Sequence, residues 1–223
     1  MSLIRKILSV AISAMLLTGL ASCSSSTHNE TVASTLANAS EHSASTTNRE
    51  TSEASDTEKE NPFGKALVVY FSCTGTTKDV ALKIASAANC TACEIEPAKP
   101  YTTDDLNYNT KKSRAYKEQN DASARPEISG SVSDWDSYDT IFIGYPIWFA
   151  KAPRILCTFV ENYDFSGKTV IPFCTSGSSG IGSSAKELSE LAKQGKWLNG
   201  TRFAASVNAK DISEWLNALN GSV

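Results

Sequence analysis

Three apolar runs, each followed by a loop of small and hydroxylated residues and then a stretch of helical periodicity, constrain this chain more than any other feature. Ala66 to Phe71 reads ALVVYF, Thr140 to Gly144 reads TIFIG, and Lys168 to Cys174 reads KTVIPFC. Runs without polar alternation belong to strands covered on both faces. After the first run, Thr76 to Ala88 places Val80, Ala81, Ile84 and Ala88 on one helical face. After the second, Pro153 stands near a helix start, where its missing N–H costs nothing, and Ile155, Leu156, Phe159 and Val160 supply the apolar stripe. After the third, Gly182 to Gln194 turns Leu188 and Leu191 inward.

Ala92 to Ile95 and Thr201 to Ala204 are weaker strand candidates, and Asn208 is placed to cap a last helix whose stripe is Ile212, Trp215, Leu216 and Leu219. The polar stretch after Pro100 has one helical piece, Thr110 to Gln119. Strands alternating with helices predict an α/β fold, a three-layer doubly wound sandwich around a five-stranded parallel sheet. Its ligand should lie outside the carboxyl ends of the strands.

The amino-terminal part has a different character. Arg5 and Lys6 precede an apolar run from Ile7 to Leu20, and Ala21, Ser22 and Cys23 follow. Basic start, short apolar core and small residues describe a secretory signal peptide. At 14 residues the run falls short of the about 20 needed to span hydrocarbon. Leu20-Ala21-Ser22-Cys23 also resembles the bacterial lipobox, which implies cleavage after residue 22 and lipidation of Cys23. Of the 38 residues from 24 to 61, 16 are Ser or Thr, none is aromatic, and seven acids face two bases. Such a segment cannot bury enough apolar surface to offset the entropy of ordering, so residues 23–61 are expected to tether the domain to a membrane of the cell envelope, outside the cytoplasm.

Both histidines, His28 and His42, fall in that tether, which excludes histidine-based metal or proton-relay chemistry from the domain. Residues 62–223 carry 17 Lys plus Arg and 17 Asp plus Glu. A neutral domain of this size has neither the basic footprint of a nucleic-acid binder nor a field for steering a strongly charged protein.

Chemistry concentrates in the three loops. Ser72-Cys73-Thr74-Gly75-Thr76-Thr77 puts four hydroxyls and a glycine at a helix N-terminus, where free N–H groups and the helix dipole favour a phosphate. The first lysine is Lys78, so the loop is neither a P-loop nor a GxGxxG turn. Tyr145-Pro146-Ile147-Trp148-Phe149 is either core for the next helix or a wall against a flat ligand. Thr175-Ser176-Gly177-Ser178-Ser179-Gly180 lets backbone approach a heterocycle closely.

Together the segments Val69 to Thr77, Gly144 to Pro153 and Pro172 to Gly177 resemble the flavodoxin-like family, in a short-chain branch common in anaerobic bacteria. The likeness spans residues 65–220. It implies strand order 2-1-3-4-5 and FMN as cofactor. Ser72, Thr74, Gly75, Thr76 and Thr77 would bind the phosphate. Pro146, Ile147 and Trp148 would flank one side of the isoalloxazine, and Thr175, Ser176 and Gly177 the other side or edge. Phe149 stands where the branch usually has a second tryptophan, and Thr76 where asparagine is frequent.

The resemblance implies electron transfer with a redox protein or a small-molecule donor or acceptor. Two other readings stay open, a flavin-dependent NAD(P)H or quinone reductase and a flavin-free binding module. Flavodoxins that act as carriers are usually acidic, and this domain is not.

Cys90-Thr91-Ala92-Cys93 has CxxC spacing, compatible with two plain thiols, a structural disulfide or a redox dithiol. Cys73 reads as a small filler of the first loop, although the helix end would lower its pKa. Trp135, Tyr138 and Trp197 read as packing residues. Tyr101 and Tyr108, in the long polar connection, are candidates for a lid, and Lys151 for an approach to flavin or to solvent.

Overall fold

The computed structural model describes residues 61–223; the expected signal peptide, Cys23 and the expected tether up to residue 60 lie outside them. In chain order the elements are β1 (Ala66–Tyr70), α1 (Thr76–Ala87), β2 (Thr91–Glu94), β3 (Glu96–Pro97), α2 (Arg114–Asn120), β4 (Ile128–Ser129), β5 (Thr140–Pro146), α3 (Arg154–Asn162), β6 (Thr169–Thr175), α4 (Ser184–Ala192), β7 (Lys196–Trp197), β8 (Thr201–Phe203) and α5 (Ala209–Leu219).

The main sheet runs β2-β1-β5-β6, with β7 and β8 both paired to β6, and every pairing is parallel. This is the order 2-1-3-4-5, and the α/β sandwich expected from the strand and helix alternation is present. Along β1, Leu67 and Val69 enter one core while Ala66, Val68 and Tyr70 enter the other. Period-two alternation of apolar residues on both faces produces these two cores. Ile155, Leu156, Phe159 and Leu188 of α3 and α4 fill the first core, and Val80, Ile84, Ile212 and Leu216 of α1 and α5 fill the second.

The fifth strand departs from the single short piece at Thr201 to Ala204 read from the sequence. It is split, with Lys196–Trp197 pairing the beginning of β6 and Thr201–Phe203 its end. Pro172 explains the split. Leu198 donates to the carbonyl of Val170 at 2.9 Å, and two residues further along the same edge of β6 the proline has no N–H to continue the ladder. The chain bypasses this position at Gly200, where an added Cβ would stand 3.0 Å from the Pro172 carbonyl oxygen.

The polar connection folds more than its composition suggests. Its helix begins at Arg114 rather than Thr110, because Ser113 caps it by accepting from the Tyr116 N–H. A two-stranded antiparallel ribbon, β3 with β4, closes the connection. At the other end of the domain, Asn61 is fastened to the fold: its amide donates to the Ala88 carbonyl at 3.3 Å and its side-chain oxygen accepts from the Phe63 N–H at 3.1 Å. Among the described residues no helix is long and apolar enough to cross a membrane.

Candidate functional site

A cavity of about 570 Å³ opens at the carboxyl ends of β1, β5 and β6 and receives all three singled-out loops. Thr74, Thr76 and Thr77 line it from the first, Pro146, Ile147 and Trp148 from the second, and Thr175, Ser176 and Gly177 from the third. Ser72 and Gly75 stand in the first loop without lining the cavity itself.

The first loop turns at Gly75, whose φ of +87° is left-handed and therefore suits glycine. The following helix has no side-chain cap. The N–H groups of Thr76, Thr77 and Lys78 consequently find no acceptor among the described residues, the usual state of an uncapped first turn. At the loop's start Ser72 Oγ is buried and, among the described residues, without a partner. Thr77 is different: its hydroxyl lies 2.8 Å from that of Thr175, both buried, so these two side chains tie the first loop to the third.

The second loop is fixed from three directions. Trp148 and Lys151 exchange both backbone hydrogen bonds at 2.9 Å, and the two residues between them, Phe149 and Ala150, have φ of +47° and +65°. This is the mirror-image hairpin turn that Asn-Gly ordinarily supplies. Gln119 of α2, 7% exposed, donates to the carbonyls of Trp148 at 2.9 Å and Ala152 at 3.1 Å. Ile147 donates to the Thr175 carbonyl at 3.0 Å, extending the pairing of β5 with β6 into the loops.

Trp148 stands between the core and the cavity. It reaches the cavity but is only 3% exposed, with its ring edge-on to Phe71 at 5.5 Å and Tyr101 at 5.2 Å. The exposed ring at the site is Tyr108, 49% accessible, which lines the cavity with Leu106 and leans on Phe149 at 4.9 Å. Tyr101 is anchored rather than lid-like, since its hydroxyl donates to Glu118 at 2.6 Å and the Arg114 guanidinium lies 3.9 Å over its ring. Lys151 lies outside this cavity and is exposed.

Arg202 of β8 is a site residue the sequence reading passed over, and among the described residues it is the one charged side chain lining the cavity. Gln119, Leu106 and Ala204 to Ser206 were passed over too. Their only sequence signal is position, in or beside segments that end at the same sheet edge.

Among the described residues the cysteines are unpaired and mostly sheltered. Cys73 lines the cavity, and burial, outweighing the helpful charge of Arg114, pushes its pKa up to about 12. The helix end therefore does not make it a thiolate. Cys90 and Cys93 are free and pack against opposite cores, Cys90 with α1 and α5 and Cys93 with the α3 side. Sulfurs on opposite faces of a sheet cannot meet the separation a disulfide requires, so the pair consists of separate thiols. Trp135, 7% exposed, packs on Phe159 and Phe165 as expected of a core residue. Among the described residues no cluster of His, Cys, Asp and Glu is arranged to hold a metal ion.

The comparisons with known proteins agree with this architecture. A model of the flavodoxin family matches residues 65–219. A crystal structure from Bacteroides eggerthii DSM 20697, assigned as a flavoprotein, is 44% identical over 69% of this chain and 96% of its own, with a TM-score of 0.66. A second, from Bacteroides uniformis ATCC 8492 and assigned likewise, is 44% identical over 69% of this chain and 98% of its own, again at 0.66. A flavoprotein in complex with FMN from Lactobacillus acidophilus NCFM shares the fold at 24% identity, over 68% of this chain and 98% of its own, with a TM-score of 0.53. No curated protein matches the sequence significantly. By the extent of the family match and the identity to the two Bacteroides structures, the chain belongs to the flavodoxin family.

Proposed function

We propose that this protein binds FMN and transfers electrons outside the cytoplasm, held to a membrane of the cell envelope by lipid on Cys23. The observation that carries the cofactor is the first loop. An uncapped helix with a left-handed glycine before it and a buried, partnerless Ser72 Oγ beneath it forms a set of donors that fits a phosphate. The volume of about 570 Å³ suits a ligand of mononucleotide size. Family membership and the FMN-bound Lactobacillus relative support the same cofactor.

In this reading Ser72, Thr74, Gly75 and Thr76 receive the phosphate, with Thr77 contributing its N–H. Pro146, Ile147 and Trp148 border the ring on one side, backed by Phe71 and Tyr101. Thr175, Ser176 and Gly177 approach it from the other. The bound flavin supplies the redox chemistry, and the protein supplies binding, orientation and electrostatics. No side chain in the site is required as an acid or base.

A second reading, a flavin-dependent NAD(P)H or quinone reductase, is favoured by the neutral domain and by a cavity lined, among the described residues, by one cation and no carboxylate. Partner proteins and small donors or acceptors differ in the kinetics they produce. A carrier exchanges single electrons with a protein, whereas a reductase turns over a nicotinamide.

The test is the absorbance spectrum of the chain lacking residues 1–22, before and after FMN is added. A yellow complex of micromolar or tighter affinity is expected. A colourless protein that stays so defines a flavin-free binding module and ends the FMN reading. The anchor is tested separately: labelled fatty acid should enter the intact chain in cells and be lost in Cys23→Ala.

A further inference from the structure

Arg202 makes three hydrogen bonds, and all three go to the third loop. Nε donates to Ser176 Oγ at 3.1 Å, and Nη2 donates to the backbone carbonyls of Ser176 at 2.7 Å and Gly177 at 2.8 Å. Because a trans peptide holds its C=O and N–H on opposite sides, gripping these two carbonyls also fixes the direction of the next two N–H groups. Those belong to Gly177 and Ser178, and neither has an acceptor among the described residues. Ser176 Oγ in turn donates to the Ser179 carbonyl, so the same grip closes the turn.

The charge is a separate matter. Among the described residues the acceptors of Arg202 are all uncharged oxygens, and no carboxylate lines the cavity. A cation left uncompensated beside a partly desolvated cavity interacts strongly with any charge placed there. Its planar fork is what lets it hold two carbonyls and a hydroxyl at once, a task an ammonium group does less well.

We propose that Arg202 is a positioning residue of the cofactor site, which rests on the FMN reading above. Its fork sets the Ser176–Gly177 backbone so that the Gly177 and Ser178 N–H groups serve as donors to the acceptor edge of the flavin ring. Its charge makes the two-electron reduction potential of the bound flavin more positive. The ligand chemistry it serves is the heterocycle and not the phosphate.

Arg202→Met and Arg202→Lys separate these roles, with circular dichroism confirming that each variant folds. Titration with FMN and with riboflavin distinguishes ring from phosphate. Arg202→Met should weaken both by the same factor, about tenfold for losing charge-assisted hydrogen bonds, and should shift the potential to more negative values. Arg202→Lys should keep the potential near that of the unsubstituted protein while losing part of the affinity. Loss confined to FMN would make Arg202 a phosphate ligand and overturn the proposal. Unchanged affinity and potential in Arg202→Met would overturn it as well.

A readout without cofactor keeps this apart from the FMN reading. In the flavin-free protein, the {1H}–15N NOE at Gly177 and Ser178 should fall in Arg202→Met. An unchanged NOE would refute the grip. If the unsubstituted protein binds no flavin, the cofactor reading fails, and the NOE alone decides whether Arg202 orders the loop.

Discussion

The hydroxyls of Thr77 and Thr175 meet at 2.8 Å across the sheet, joining the first turn of α1 to the end of β6. Both residues are buried, 1% and 3% exposed, and each hydroxyl has the other as partner. A single valine therefore leaves one buried hydroxyl unsatisfied, at a cost of about 1–3 kcal/mol, whereas replacing both partners by groups of the same shape is close to neutral. Urea denaturation should show Thr77→Val and Thr175→Val each destabilised, and the double variant more stable than the sum of the two predicts. Simple additivity would mean that the pair is not coupled.

Gly144 is a packing requirement of β5. Its Cα partner across the ladder is Phe173, whose ring covers the place where a Cβ would stand. Phe173 is fully buried, so the ring has little room to retreat. Gly144→Ala should cost about 1–3 kcal/mol by overpacking, seen as a Tm lower by several degrees. Adding Phe173→Leu should recover part of the loss; a double variant worse than both singles would show that the ring is not the obstacle.

Only part of this architecture is legible in the sequence. The strands, the helices and their order were legible because uninterrupted apolar runs and helical stripes leave few alternatives. The loops were legible as a site because Ser72 to Thr77, Tyr145 to Phe149 and Thr175 to Gly180 stand at one sheet edge once the order is known. The break in the fifth strand was not, since Pro172 acts on a neighbour distant in sequence. Arg202 and Gln119 were missed for the same reason: each acts on backbone carbonyls of another loop, and no local pattern marks that. Trp148 left core and ligand wall equally open in the sequence, because its burial depends on Tyr101 and Phe71, both distant in the chain.

The thiols predict a pH dependence. Burial raises the pKa of Cys73 and of Cys174 to about 12, and that of Cys90 to about 11, from the ordinary thiol value of 9.0. A thiol with a raised folded-state pKa stays neutral after its unfolded counterpart has ionised. Its contribution to stability is thus present below pH 9 and lost as pH rises toward 11 or 12. Under reducing conditions Tm should fall between pH 8.5 and pH 10.5, less steeply in Cys73→Ala. At pH 8, iodoacetamide should label Cys73 at least about a hundredfold more slowly than free cysteine, because the thiolate is the reactive form. Labelling at the rate of free cysteine would show an ionised thiol and contradict the burial.

The turn that carries Trp148 holds backbone strain at two successive residues. Phe149 and Ala150 both take left-handed φ values, +47° and +65°, and each such residue other than glycine costs about 1–2 kcal/mol. Phe149 has compensation, with its ring between Tyr108 at 4.9 Å and Tyr116 at 5.5 Å. Ala150 is exposed, so its methyl group offers nothing comparable. Glycine at position 150 removes the steric penalty and gives back about 0.4–1 kcal/mol through the freer unfolded chain. Ala150→Gly should therefore stabilise the protein by about 0.5–1 kcal/mol, read as a higher urea midpoint with an unchanged slope. FMN affinity should stay the same, because the exchanged hydrogen bonds of Trp148 and Lys151 still hold the turn. A lower midpoint would show that Ala150 is not strained there, and weaker FMN binding at an unchanged midpoint would show that the alanine itself sets the position of Trp148.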